Sequence, residues 1–162
     1  MALGSLVKTL QNIMRNDAGI NGDAQRIEQM TWLFFLKIYD AKEEEWEFHD
    51  DSYESIIPDR LRWHSWAPDA KDGNALTGEL LDFVNNDLFK TLANLELAQD
   101  APLRQVVVKA AFNDANNYMK DGILLRQVVN AIDDAVDFTE YKERHAFGEI
   151  YETILKDLQS AG

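Results

Sequence analysis

Apolar residues recur along this chain at the three- and four-residue steps of an α-helix and rarely at the two-residue step of a strand. Leu3, Leu6, Val7, Leu10, Ile13 and Met14 form one such stripe and predict a first helix. The stretch Asn16 to Asp23, with Gly19 and Gly22 among small polar side chains, ends it. A second helix is predicted from about Asp23, placed as its N-cap, to about Trp46. Its centre, Trp32-Leu33-Phe34-Phe35-Leu36 with Ile38 and Tyr39, is apolar on every face, which suits the spine of a bundle.

Beyond His49 the period is lost. Pro58, Pro68 and Gly73, with Ile56, Ile57, Trp63 and Trp66, predict an ordered loop over about 49–76 pinned by aromatic anchors. Thr77 is read as the cap of a third helix with the stripe Leu81, Val84, Leu88, Leu92 and Leu95. Pro102 is read as the first residue of a fourth, with Leu103, Val106, Val107, Ala110 and Ala111 on its buried side. Val106-Val107-Val108 also suits a strand, but Pro102 and Lys109-Ala110-Ala111 favour a helix. A fifth helix follows Asp121-Gly122, with Leu125, Val128, Val129, Ile132 and Val136 facing inward. Phe147, Ile150, Tyr151, Ile154, Leu155 and Leu158 predict a sixth. The expected fold is all-α: one domain over 1–162, a compact bundle of five to six helices.

Composition agrees with a globular domain, at 46% hydrophobic and 28% charged residues. The absence of cysteine excludes disulfides, thiolate metal sites and thiol nucleophiles. No apolar run is long enough to cross a bilayer and no secretory signal opens the chain, so a cytoplasmic location without membrane contact is expected. The net charge of −13 at first argues against a polyanionic partner. Asp40 to Glu54, however, holds eight acids against Lys42 alone, a net −7, leaving −6 for the other 147 residues. This acidic knuckle is either a solvated helix end or a surface for a cation or a basic partner.

Catalytic chemistry is sparse. His49, His64 and His145 are scattered; His145 and Glu149 could share a metal, but two ligands make a weak site. Gly73 and Glu79 match the second half of a calcium loop, whereas Pro68 and Ala70 stand where its first carboxylates belong. No G-x-G turn and no Asn-Pro pair occurs. No catalytic, cofactor-binding or metal-ligating residue is therefore assigned. Two segments could contact DNA or a partner. Arg60 and Arg62 flank Trp63 and Trp66, a mixture that stacks on bases, fills an interface, or simply pins the loop to the core. The turn Asn116 to Gly122 offers Asn116, Asn117 and Lys120, followed by Arg126 near the start of the fifth helix, where donors can meet phosphate. Its plainer reading is an ordinary helix connection.

Several strings are more specific than helix periodicity. They include Phe34-Phe35-Leu36-Lys37, Leu61-Arg62-Trp63, Phe83-Val84-Asn85-Asn86-Asp87-Leu88-Phe89, Asn117-Tyr118-Met119-Lys120 and Leu124-Leu125-Arg126-Gln127-Val128. With the tail His145-Ala146-Phe147-Gly148-Glu149-Ile150-Tyr151-Glu152, the chain resembles the N-terminal helical domain of the modification subunit of type I restriction–modification systems. The resemblance implies a parent adenine-specific DNA methyltransferase that uses S-adenosylmethionine. Its cofactor glycines and Asn-Pro-Pro motif are expected in a downstream domain absent from these 162 residues. The implied partners are a specificity subunit, a second modification subunit, a restriction subunit, and DNA in the full assembly. A reading from charge alone is a stand-alone acidic protein that mimics DNA or binds other proteins.

Overall fold

A computed structural model describes residues 3–68 and 79–135, and among them all regular structure is helical. Helix α1 (Leu3–Met14) buries Leu6, Leu10 and Met14, the stripe expected from its spacing. Gly22 precedes α2 (Asp23–His49) with φ of 88°, a left-handed conformation that favours glycine. Gly22, not Asp23, is the N-cap. Asp23 falls in the first turn, where its charge complements the helix dipole. The helix outruns its expected end at Trp46 by most of a turn, and Trp32 to Leu36, Ile38 and Tyr39 are buried as a spine should be.

After α2 the chain turns through a 3₁₀ segment (Asp59–Leu61) and the single turn α3 (Trp63–Trp66). Leu61, Trp63, Trp66 and Ala67 are buried, and Trp66 donates to the Leu61 carbonyl at 3.0 Å, so the loop is anchored through its tryptophans. Residues 69–78, including Thr77 and most of the half-matched calcium loop, lie outside the described residues.

Residues 80–93 form one helical rod: α4 (Leu80–Asp82), a π-helical segment (Phe83–Leu88) and α5 (Phe89–Ala93). Its buried stripe starts one residue before the expected Leu81: Leu80, Val84, Leu88 and Leu92 are fully buried. Four-residue steps drift by about 40° each around an ordinary α-helix. The wider π turns take back part of that drift and keep the stripe on one side.

Pro102 is the N-cap of α6 (Leu103–Asn113), one residue outside the helix it was expected to begin. The valine triplet is helical. Its inward face is Val107, Val108 and Phe112, while Leu103 and Val106, expected inside, are exposed. Helix α7 (Gly122–Ala135) buries Leu125, Val128, Val129 and Ile132 and packs mainly on α1, as α6 packs on α5. Val136 and the expected sixth helix lie outside the described residues.

An aromatic cluster joins α2 to the α5–α6 pair. Phe89 meets Trp32 edge-on at 4.8 Å and Phe112 at 5.1 Å, and Phe35 lies between Tyr39 and Phe112 at 5.5 and 6.2 Å. No described helix is long and apolar enough to cross a membrane.

Candidate functional site

The polar connection between α6 and α7 is held from beneath by two buried side chains. Asp17, only 3% exposed in the turn after α1, accepts hydrogen bonds from the backbone N–H groups of Gly19 at 2.8 Å and of Lys120 and Asp121 at 3.0 Å. A carboxylate so enclosed is tolerable because those donors replace its water. Gln29 of α2 donates to Asn117 Oδ1 at 2.8 Å and accepts the Tyr118 N–H at 2.8 Å. Asn117 also donates to Asn85, on the π segment, at 3.0 Å. Tyr118 donates its hydroxyl to Glu28, which raises the phenol above its ordinary pKa. Asp121 caps α7 by accepting from the N–H groups of Ile123 and Leu124.

Gly19 makes this seating possible. A Cβ there would lie 2.0 Å from the Tyr118 carbonyl oxygen and 2.8 Å from Lys120 Cγ. Gly19→Ala should therefore lift the connection and cost about 1–3 kcal/mol in urea melts. Unchanged stability would mean that this loop does not rest on the α1–α2 turn.

Several donors that the sequence offers to phosphate are thus committed within the chain. Asn116 and Lys120 remain with exposed side chains, beside exposed Ile123. Lys120 and Ile123 line an open cleft of about 570 Å³ whose walls also include Asn16, Ala18 and Leu81. Arg126 is buried, and its guanidinium donates to the Ala67 carbonyl at 3.2 Å, tying α7 to the end of α3.

The second candidate segment is turned inward except at Arg60, which is exposed and pairs with Asp87 at 2.8 Å. Trp63 is buried and donates to Asp133 at 2.9 Å; Lys37 pairs with the same carboxylate at 3.2 Å. Arg62, 8% exposed, is the counter-ion of the acidic knuckle. Its Nε lies 3.6 Å from Asp40 and 3.5 Å from Glu43, and Nη2 pairs with Glu47. Tyr53 donates to Glu43 at 2.7 Å. Burial pushes the Glu43 carboxyl up, against bonds from Ser55 and Tyr53 and the charge of Arg62. Burial, followed by the bond to Glu43, raises the Tyr53 phenol. Arg104 stacks 5.3 Å from the Trp46 ring and 5.1 Å from Tyr53, closing the cluster from α6.

Asp40, Glu44 and His64 bring potential metal-ligand atoms within 4.8 Å of one another. The Asp40 oxygen already meets His64 Nδ1 at 2.8 Å and the Arg62 guanidinium at 3.6 Å, which supplies the positive charge a cation would bring. His145 and Glu149 lie outside the described residues.

The sequence reading singled out neither Asp17, Gln29 nor Glu43. Apart from the Gly19 N–H beside Asp17, the partners of Asp17 and Gln29 are about ninety to a hundred residues away and leave no local signal. For Glu43 there was one: Asp40, Glu43 and Glu47 follow at steps of three and four, one helix face, with Arg62 shortly after.

The family described as HsdM N-terminal domain matches residues 3–132. Over its whole length the chain is 55% identical to the type I restriction enzyme EcoEI methylase subunit of Escherichia coli, covering 32% of that protein. It also resembles, at 32% identity and a TM-score of 0.76, a crystal structure of a modification subunit assigned to a type I restriction enzyme of Vibrio vulnificus YJ016. That match covers 99% of this chain and 36% of the other. A chain from a structure addressing complex assembly and conformational transition of the type I R-M system matches at 29% identity and a TM-score of 0.74. It covers 96% of this chain and 30% of that one. The sequence thus spans about a third of each relative. Matched by family, sequence and fold alike, the chain belongs to the HsdM N-terminal domain family of type I restriction–modification modification subunits.

Proposed function

We propose that this chain is the N-terminal assembly and DNA-clamping module of an adenine-specific type I DNA methyltransferase subunit. In this reading it docks a specificity subunit and a second modification subunit, and a restriction subunit can join. The observation that carries the reading is the 55% identity, over the full chain, to a type I methylase subunit. S-adenosylmethionine and the catalytic motif are assigned to the remainder of the parent protein. The alternative of a DNA mimic is less favoured: Asp40, Glu43 and Glu47 of the acidic knuckle are engaged by Arg62, and a mimic needs its charge spread outward at duplex density.

The rigid seating of the 114–122 connection supports a contact role for Asn116 and Lys120, since a preorganised loop loses little entropy on binding. Asn117 holds that surface through Gln29 and Asn85, whereas Arg126, Arg62 and Trp63 are engaged with Ala67, the acidic knuckle and Asp133. In the full methyltransferase, Lys120→Ala should lower DNA affinity and flatten the slope of log affinity against log salt by about one unit. Arg126 is left intact because its guanidinium holds Ala67. Parallel lines for wild type and variant would remove Lys120 from the DNA interface.

A further inference from the structure

Three side-chain amides form a relay whose direction is fixed by backbone donors at its inner end. The Tyr118 N–H can only donate, so the atom of buried Gln29 that meets it at 2.8 Å is Oε1. Gln29 Nε2 is thereby left to donate to Asn117 Oδ1 at 2.8 Å. The Met119 N–H reaches the same Asn117 oxygen at 3.3 Å, which fixes the second amide independently. Asn117 Nδ2 then donates to Asn85 Oδ1 at 3.0 Å. Each step outward uses the oxygen of the next amide and leaves its nitrogen, so the relay ends on Asn85 Nδ2.

Asn85 is exposed, within the π-helical segment, and its Nδ2 has no hydrogen-bond partner among the described residues. Nearby carboxylates are engaged elsewhere: Asp82 with Asn86, Asp87 with Arg60, and Glu28 with the Tyr118 hydroxyl. An ordinary surface asparagine can turn either end of its amide outward. This one is held as a donor by a fully buried glutamine two amides away. Amides aligned head to tail also polarise one another, which strengthens the terminal donor. Asn85 stands about one turn along the rod from Leu81, which lines the open cleft together with Lys120.

We infer that Asn85 Nδ2 donates to a phosphate oxygen of DNA, with Gln29 as the positioning residue that sets its direction. A directed donor without charge suits the duplex backbone, where acceptors recur whatever the sequence. Asparagine reads adenine with both amide atoms, and here the oxygen is already taken by Asn117. A carbonyl of a partner subunit would accept the same hydrogen bond. The exposed donors on either side of Asn117, Asn116 and Lys120, favour the anion. The inference rests on the DNA-clamping role proposed above and adds a neutral contact to the cationic one at Lys120.

The test measures DNA affinity of the full methyltransferase, assembled with its specificity subunit, over a range of salt concentrations. Wild type is compared with Asn85→Asp, Asn85→Ala and Lys120→Ala. Aspartate keeps the acceptor for Asn117 and replaces only the outward N–H, by a carboxylate oxygen. Asn85→Asp should weaken DNA binding by about tenfold or more. Asn85→Ala should weaken it several-fold without changing the salt slope, because a neutral donor releases no counter-ion. Melting temperatures close to wild type verify folding, since the side chain is exposed. Wild-type DNA affinity for Asn85→Asp at every salt concentration overturns the inference. So does weakened assembly with unchanged DNA affinity of the assembled enzyme, which would give the donor to a partner subunit. If the Asn85 variants bind as wild type while Lys120→Ala flattens the slope, this inference alone fails. Wild-type behaviour by all three variants removes the clamping role of this surface with it.

Discussion

Replacing Arg62 by methionine should cost about 3–5 kcal/mol at neutral pH, and less as the pH falls. The guanidinium is nearly enclosed and stands 3.5–3.6 Å from the buried carboxylates of Glu43 and Asp40. Methionine fills much of the space but leaves both charges without their counter-ion, and it is the uncompensated charge that is expensive. Burial already raises the Glu43 carboxyl, and loss of Arg62 raises it further. A carboxyl whose folded pKa exceeds its unfolded one takes up its proton more readily in the folded state. Acidification through that folded pKa therefore favours folding, and the deficit of Arg62→Met should narrow as pH falls toward the ordinary carboxylate range near about 4. Urea melts at neutral and mildly acidic pH measure this directly. An equal deficit at both would assign the loss to packing and leave the charge argument without support.

Phe35→Ala should be about as damaging, at roughly 3–5 kcal/mol. Phe35 is buried in the middle of α2, stacked on Tyr39 and edge-on to Phe112 of α6, whose ring is itself held by Phe89. Three elements meet there, so truncation opens a cavity that no single side chain can move to fill. Phe35→Leu keeps most of the volume and should retain most of the stability. A loss under about 1 kcal/mol for the alanine variant would place α2 at the edge of the bundle.

The helices were legible wherever one residue type marked one face. In α1 and α7 the buried stripes recur at three and four residues with polar positions between, and the predicted and observed faces coincide. Where several apolar residues adjoin, periodicity is ambiguous. Leu80 and Leu81 fit a stripe equally well until the π turns select the first, and Leu103 with Val106 competes with Val108 and Phe112 for the inner side of α6. Polar residues were harder still. Arg62 beside Trp63 has the composition of a stacking site, but the nearby carboxylates of α2 draw the guanidinium inward. Asp17 looked like one more small polar residue in a turn; its role depends on backbone donors more than a hundred residues later. Charge and size are written in sequence, whereas the partner that decides their use is a product of folding.

The π-helical segment also determines where the domain tolerates a change in length. Its wide turns accommodate residues that a plain α-helix would place elsewhere around the axis. Removing one residue between 83 and 88 would let the π segment revert to plain α-helix, in which Leu92 comes to stand only about 20° from Leu80 around the axis, so the buried stripe survives. The same deletion within the α-helical α6 would rotate everything after it by about 100°. The same deletion in the connection between α5 and α6 would shorten a loop without rotating either helix's buried face. Insertions and deletions in this domain are therefore governed less by surface exposure than by whether the affected turn is counting residues for the core.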